Sequence, residues 1–233
     1  MGKLGAVIVA AGKGVRMGAK ASKQFLPLGD KPLFMHALTV FQQLREMDAI
    51  VLVVAAADLD RCRGLVAKYG MDKVKAVVVG GDERQDSVFN GLVALTAFPV
   101  EWVMVHDAAR PFVTAEDAVR CWQAARIHGA AVLGVPVKDT IKQVNDNGMI
   151  AKTPERRSLW AAQTPQAFRL FELMSAHERA RQDRLAATDD AAIFEHYGGS
   201  VRMVEGSYRN FKVTTPDDLQ LARMLLKEYE REI

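Results

Sequence analysis

The stretch that most constrains this chain lies near its start. Ala10-Ala11-Gly12-Lys13-Gly14-Val15-Arg16-Met17-Gly18 is followed by Lys20 and Lys23-Gln24-Phe25. Before it runs Gly5-Ala6-Val7-Ile8-Val9, an apolar, β-branched run that reads as a buried first strand. After it, Pro32-Leu33-Phe34-Met35 opens a helical pattern with Pro near its first turn. A glycine-rich loop therefore leaves the carboxyl end of a strand and carries Lys13, Arg16, Lys20 and Lys23. Glycines let backbone N–H groups approach an anion closely, and cations balance its charge. The sum is a polyphosphate cradle; the plainer alternative is a solvated basic loop. The spacing excludes a Walker loop, which needs Gly-x-x-x-x-Gly-Lys-Ser/Thr. It also misses the dinucleotide fingerprint by one residue, since Gly12-x-Gly14-x-x-x-Gly18 replaces Gly-x-Gly-x-x-Gly.

Composition bounds the rest. With 233 residues, 49% of them hydrophobic, the chain can bury one sizeable core. A net charge of +3 is slight for a nucleic-acid binder, so small anionic ligands fit better. Cys62 and Cys121 stand far apart, make no Cys-x-x-Cys and suggest core thiols in a reducing compartment. No apolar run has signal-peptide or membrane-spanning length, and a cytoplasmic protein without membrane or nucleic-acid partners is expected.

Along the chain, strands are expected at Ile50–Ala55, Val74–Val79, Trp102–Val105 and Ala130–Val135. Helices are expected at Leu33–Leu44, Asp58–Tyr69, Gln85–Leu95 and Thr114–His128. Strands without polar alternation, separated by helices, imply a mostly parallel α/β sheet, doubly wound and covered on both faces. The pattern changes at Pro136. Lys138–Val144 and Met149–Thr153 read as a polar hairpin around Asn145-Asp146-Asn147-Gly148. Too small to be stable alone, it should project and pack on something, most simply another subunit; the plainer alternative is a mobile surface flap. The chain then returns to the sheet at Leu159–Thr164. Helices are expected at Phe168–Gln182, from a Thr188-Asp189-Asp190 cap to Tyr197, and after Thr215-Pro216; short strands are expected at Val201–Glu205 and Asn210–Val213.

Two strand-end loops carry chemistry. In Gly80-Gly81-Asp82-Glu83-Arg84-Gln85-Asp86-Ser87, the glycines let backbone approach a flat base that Asp82 and Ser87 can hydrogen-bond. The plainer reading is a strand-to-helix turn that Asp86 or Ser87 caps. In His106-Asp107-Ala108-Ala109-Arg110-Pro111, an aspartate at the end of an apolar strand is costly unless it binds something. Arg110 reads as a support for the loop and His106 as structural. Lys212, in an apolar context, needs an anion.

These stretches resemble the nucleotidyltransferase superfamily and, within it, the 2-C-methyl-D-erythritol 4-phosphate cytidylyltransferase family, from Ala6 to about Leu221. The resemblance implies one Rossmann-like domain over 1–233, with an inserted dimerisation arm at about 137–158. It implies CTP binding by Ala10, Ala11, Gly12, Lys13, Gly14, Gly81, Asp82, Ser87 and Ala108. It implies catalytic roles for Arg16, Lys23, Arg156 and Lys212, and substrate binding by Asp107, Thr140, Thr164 and Thr188. Arg156 aligns with the family's arginine better than Arg157 does. Mg²⁺, or another divalent cation, would be held mainly by the CTP phosphates, with Asp107 near it. A homodimer through the arm and a place in non-mevalonate isoprenoid synthesis are implied too. Val15 and Ser22 depart from the family's usual Arg and Pro. A ribitol 5-phosphate cytidylyltransferase shares most of these motifs, but tends to lack the Ala108-Ala109 pair. A non-catalytic nucleotide-binding module would need only the glycines and one or two cations, not the Arg16 and Lys23 pair.

Overall fold

The computed structural model describes residues 3–12 and 23–232. Lys13, Gly14, Arg16 and Lys20 lie outside the described residues, and of Lys23 only the backbone is described.

The apolar runs become the strands of one seven-stranded sheet: β1 (Leu4–Ala10), β4 (Met47–Val54), β5 (Val74–Val79), β6 (Trp102–Asp107), β7 (Ala130–Pro136), β10 (Trp160–Arg169) and β11 (Arg202–Glu205). Two further pairs are short: β2 (Pro27–Leu28) with β3 (Lys31–Pro32), and β8 (Gln143–Val144) with β9 (Ile150–Lys152). The large sheet has the order β11-β7-β10-β6-β1-β4-β5. β10 is antiparallel to both its neighbours, and the other pairings are parallel. The chain first winds outward from β1 to β5, then crosses back to lay β6 on the other side of β1. That reversal opens a crevice at the carboxyl ends of β1 and β6, where ligands bind in sheets of this kind.

Helices α1 (Leu33–Gln43), α2 (Leu59–Lys68) and α4 (Ala115–His128) share one apolar cluster, with Phe41, Cys62 and Trp122 in it. Helices α3 (Arg84–Leu95), α5 (Leu170–Gln182) and α6 (Asp190–His196) share another, with Leu92, Leu173 and Ala191. Successive β1 residues alternate between them: Ala6 and Ile8 join the first, Val7 the second. This is why β1 reads as apolar without alternation. The last helix, α7 (Pro216–Glu232), packs Leu219, Ala222 and Leu225 against Leu28, Leu33 and Phe112. Thr215 caps it, its Oγ1 accepting from the Asp218 N–H at 3.2 Å.

Four local expectations are corrected. Phe168 and Arg169 belong to β10, not to α5: Phe168 pairs with Val103 on one side and Ala130 on the other, and two ladders outweigh a helical pattern. Asn210–Val213 is not a strand. Its backbone instead ties to the β6 loop, with Val213 N–H donating to Ala109 O at 2.8 Å. Asp189 rather than Thr188 caps α6, its Oδ1 accepting from Ala192 N–H at 2.9 Å. The expected arm strands shrink to β8 and β9. The arm forms the whole connection between β7 and β10, which run antiparallel and so need no crossover helix between them.

Candidate functional site

β1 and β6 are paired so that Val9 faces Asp107 across the register, which brings both strand-end loops together. A cavity of about 150 Å³ lies there, lined by Ala10, Ala11, Gly12, Gln24, Gly81, Asp82, Ser87 and Ala108, with Arg84, Asp107 and Lys212 on one wall. The expected nucleotide residues that are described therefore converge. Gly80 and Gly81 are sterically required. A Cβ on Gly80 would sit 2.6 Å from Ala11 Cβ and 2.6 Å from Ser87 Oγ, and one on Gly81 would collide with Asp86. Ser87 is spent on the turn itself: its hydroxyl donates to Glu83 O at 3.1 Å and accepts from Gly81 N–H at 3.1 Å. It shapes the loop rather than offering a free donor, while exposed Asp82 keeps its carboxylate available.

A second cavity of about 260 Å³ adjoins, lined by Arg110, Gln163, Thr164, Gln166, Thr188 and Asp189. It shares Arg84, Asp107 and Lys212 with the first. Asp107, only 7% exposed, forms the partition. Its Oδ1 accepts from Arg84 Nε at 3.0 Å, and its Oδ2 lies 2.6 Å from Lys212 Nζ. Burial by itself would raise its pKa; the charges and hydrogen bonds of Arg84 and Lys212 outweigh that and hold it well below the usual carboxylate range. Arg84 also reaches Asp190, Nη2 to Oδ2 at 2.9 Å, and is held charged by the two carboxylates against the effect of its own burial.

β10 is irregular between Ala162 and Gln166, which turns Gln163 and Thr164 toward the site. Thr164 Oγ1 accepts from the Asp107 N–H at 3.0 Å and pairs with His106 Nδ1 at 3.0 Å. The hydroxyl proton therefore goes to Nδ1, and His106 Nε2 donates to Arg110 O at 3.2 Å. Burial pushes His106 down to about 4, so it is neutral near pH 7 and structural, as expected. Arg110 supports the loop, donating to Asn210 O at 2.7 Å and Ala162 O at 3.4 Å.

Two expected residues do not join this group. Thr140 and Arg156 lie on the exposed arm and line neither cavity. Arg156 instead donates to Lys138 O at 2.8 Å. Arg84 was assigned no role from sequence. The signal was there: an arginine at the first position of a helix faces the positive end of the dipole and needs carboxylates to hold it. Gln24, 4% exposed beside the first cavity, was likewise passed over. Among the described residues no cluster of three His, Cys, Asp or Glu could hold a metal ion, and both Asp107 oxygens are taken by cations. The described side chains do not make a magnesium cage.

Gly12 after β1, the Gly80-Gly81 turn and a charged second cavity at the switch point of a mostly parallel sheet are the frame of a nucleotide-binding α/β protein. Residues 4–228 match the family described as IspD: 2-C-methyl-D-erythritol 4-phosphate cytidylyltransferase. A relative of that name from Desulforamulus reducens is 45% identical over 228 residues, 97% of each chain. Another, from Syntrophotalea carbinolica, is 48% identical over 94% of each. The crystal structure of 4-diphosphocytidyl-2C-methyl-D-erythritol synthase from Anaerococcus prevotii superposes with a TM-score of 0.85 at 30% identity, covering 97% of this chain and 96% of that one. The cytidylyltransferase from Thermus thermophilus gives 0.78 at 32%, covering 97% and 99%. The chain belongs to the 2-C-methyl-D-erythritol 4-phosphate cytidylyltransferase family.

Proposed function

We propose that this protein transfers CMP from CTP to 2-C-methyl-D-erythritol 4-phosphate, releasing pyrophosphate and forming 4-diphosphocytidyl-2-C-methyl-D-erythritol for isoprenoid precursor synthesis. One observation carries the reading beyond family membership: two cavities share the wall Arg84, Asp107 and Lys212. CTP fits the glycine-lined cavity and the polyol phosphate the other. The polyol's phosphate attacks the α-phosphorus in line. A phosphate is already an anionic nucleophile, so no general base is needed, and catalysis is positioning plus charge neutralisation. Arg16 and Lys23 stabilise charge on the α-phosphate and the leaving pyrophosphate. Lys212 aims the attacking phosphate, Asp107 the polyol beside it, and Thr188 contributes a hydroxyl. A divalent cation such as Mg²⁺ would arrive on the triphosphate and neutralise part of its charge.

The arm supplies what the cleft lacks. Its apolar Val144, Met149 and Ile150 are exposed, as are Thr140 and Arg156. In a homodimer of two-fold symmetry each arm covers the partner's cleft, buries those side chains and delivers Arg156 to the substrate phosphate there. No described helix is long and apolar enough to cross a membrane. Cys62 and Cys121 are free, buried and pushed up to about 12 by that burial, which suits the reducing cytoplasm. The test is pyrophosphate release from CTP with methylerythritol phosphate or ribitol phosphate offered in turn. Rapid release with the first and little with the second is expected, as is little with ATP or GTP in place of CTP. Equal release with both polyols would overturn the substrate assignment.

A further inference from the structure

Asp190 and His177 line neither cavity, yet both are fully buried and titratable. Burying a carboxylate is costly unless its charge is used, and an apolar residue would pack a helix start as well. Capping does not account for Asp190, because Asp189 caps α6 and is itself held by Gln166 Nε2 at 2.8 Å. Asp190 instead joins a line of groups drawn from five places in the chain. His177 Nε2 of α5 lies 3.1 Å from Asp190 Oδ1, Asp190 Oδ2 lies 2.9 Å from Arg84 Nη2, Arg84 Nε donates to Asp107 Oδ1, and Lys212 Nζ holds Oδ2.

We propose that Asp190, oriented by His177, is a positioning residue that keeps Arg84 from seizing both oxygens of Asp107, so that one stays with Lys212. A free guanidinium prefers a carboxylate in the two-pronged, fork-to-fork arrangement. Here Arg84 spends Nη2 on Asp190 and turns only Nε to Asp107. Take the Asp190 charge away and the fork closes on Asp107. Lys212 then loses its partner at the partition and no longer points where the attacking phosphate must lie. The nucleotide cavity shares that wall, but its other side, the turn of Gly81, Asp82 and Ser87, takes no part in the rearrangement. The inference rests on the proposed transferase reading, and wild-type pyrophosphate release tests that reading separately.

The experiment is steady-state kinetics of Asp190→Asn, with CTP affinity measured by calorimetry. The expected result is a fall of about tenfold or more in kcat/KM for methylerythritol phosphate, with CTP affinity within threefold of wild type. In a Lys212→Gln background, Asp190→Asn should cost less than twofold more, because its route to the chemistry is gone. A purely structural role would instead lower CTP affinity as much, or cost the same in both backgrounds; either result overturns the proposal, as does unchanged kcat/KM. Should Asp190→Asn fail to fold, His177→Gln decides: a threefold or greater loss confined to the polyol substrate supports the proposal, and no loss overturns it. A wild type that releases no pyrophosphate would fail the transferase reading instead.

Discussion

At the mouth of the sheet, two buried carboxylates each have a cation beside them: Lys212, Asp107, Arg84 and Asp190 alternate in sign along one line. On the arm the reverse holds. Ile150 is 61% exposed and Met149 67%, while Arg156 spends one bond on a backbone carbonyl and presents the rest of its guanidinium to solvent. The first region is complete within one chain. The second fits the proposed two-fold dimer, in which another surface would cover it. The difference teaches how to divide the enzyme: ground-state organisation of the two cavities is intramolecular, and under the proposed dimer the last cation would come from outside.

The largest expected effect breaks the complete region. Asp107→Asn leaves Arg84 and Lys212 without the carboxylate that separates them. Removing one partner of a buried pair typically costs roughly 3–5 kcal/mol. The cost here should fall at the low end, because Arg84 keeps Asp190 and Lys212 can reach solvent. Urea unfolding should report it, together with near-complete loss of turnover. A variant as stable as wild type would show that the alternating line is incidental.

Next comes the incomplete region. Arg156→Ala should lower turnover by about 10²–10³, as for loss of one charged contact made in the transition state. Arg16→Ala should do the same. Mixing the two inactive chains under conditions of subunit exchange should restore up to about a quarter of wild-type activity, since half the dimers are mixed and each holds one intact site. Activity that never recovers, with exchange demonstrated, would place Arg16 and Arg156 in the same chain's site. Sedimentation of a variant lacking residues 142–152 should show a monomer that still binds CTP.

The fold at the mouth was legible because its physics is local. β1, β4 and β6 announce themselves as apolar runs, and Gly80-Gly81 and the Asp107 loop as breaks at their ends. Arg84 was not, since its meaning depends on Asp190 more than a hundred residues away. The same holds for Thr164, whose hydroxyl is expected to meet substrate but is engaged by Asp107 N–H and His106. β10 misled for a third reason: Phe168-Arg169 carries no turn signal, and only its two strand neighbours decide that it stays extended. Asn210–Val213 failed in the opposite sense, a short run of alternating polar and apolar residues drawn out of any ladder by Arg110 and Ala109.

His106 sharpens the comparison through pH. Its pKa falls from an ordinary 6.5 to about 4 in the fold because burial disfavours the imidazolium. Between those values the unfolded chain binds the proton and the folded chain does not. Stability contributed by neutral His106 is therefore full above pH 6.5, falls as pH drops through the window, and levels off below about 4. The span corresponds to about 3 kcal/mol at 1.36 kcal/mol per unit. Unfolding free energies of wild type and His106→Gln measured from pH 7 to 4 should diverge by about that much in all across the range. Parallel curves would mean that the imidazole is reached by water in the native state.

The smallest effect separates two neighbours. Arg157 follows Arg156 and has the same charge, yet its side chain is 93% exposed and its contact with Glu155, at 3.8 Å, is between exposed partners. Such pairs contribute at most about 1 kcal/mol and often nothing. Arg156 by contrast ties the end of the arm to its beginning by donating from Nη1, at the tip of its side chain, to Lys138 O, which orders the guanidinium. A guanidinium already ordered by one bond has less rotamer freedom left to lose when its remaining N–H groups meet an anion; one free at every atom must lose all of it first. Arg157→Ala should therefore shift the unfolding free energy by less than about 0.5 kcal/mol. It should also leave turnover within twofold of wild type, whereas Arg156→Ala does not. If Arg157→Ala instead removed activity and Arg156→Ala spared it, the cation delivered by the arm would be Arg157. Arg156 would then be a brace within the arm, and the exchange experiment would have to be repeated with Arg157→Ala as one partner.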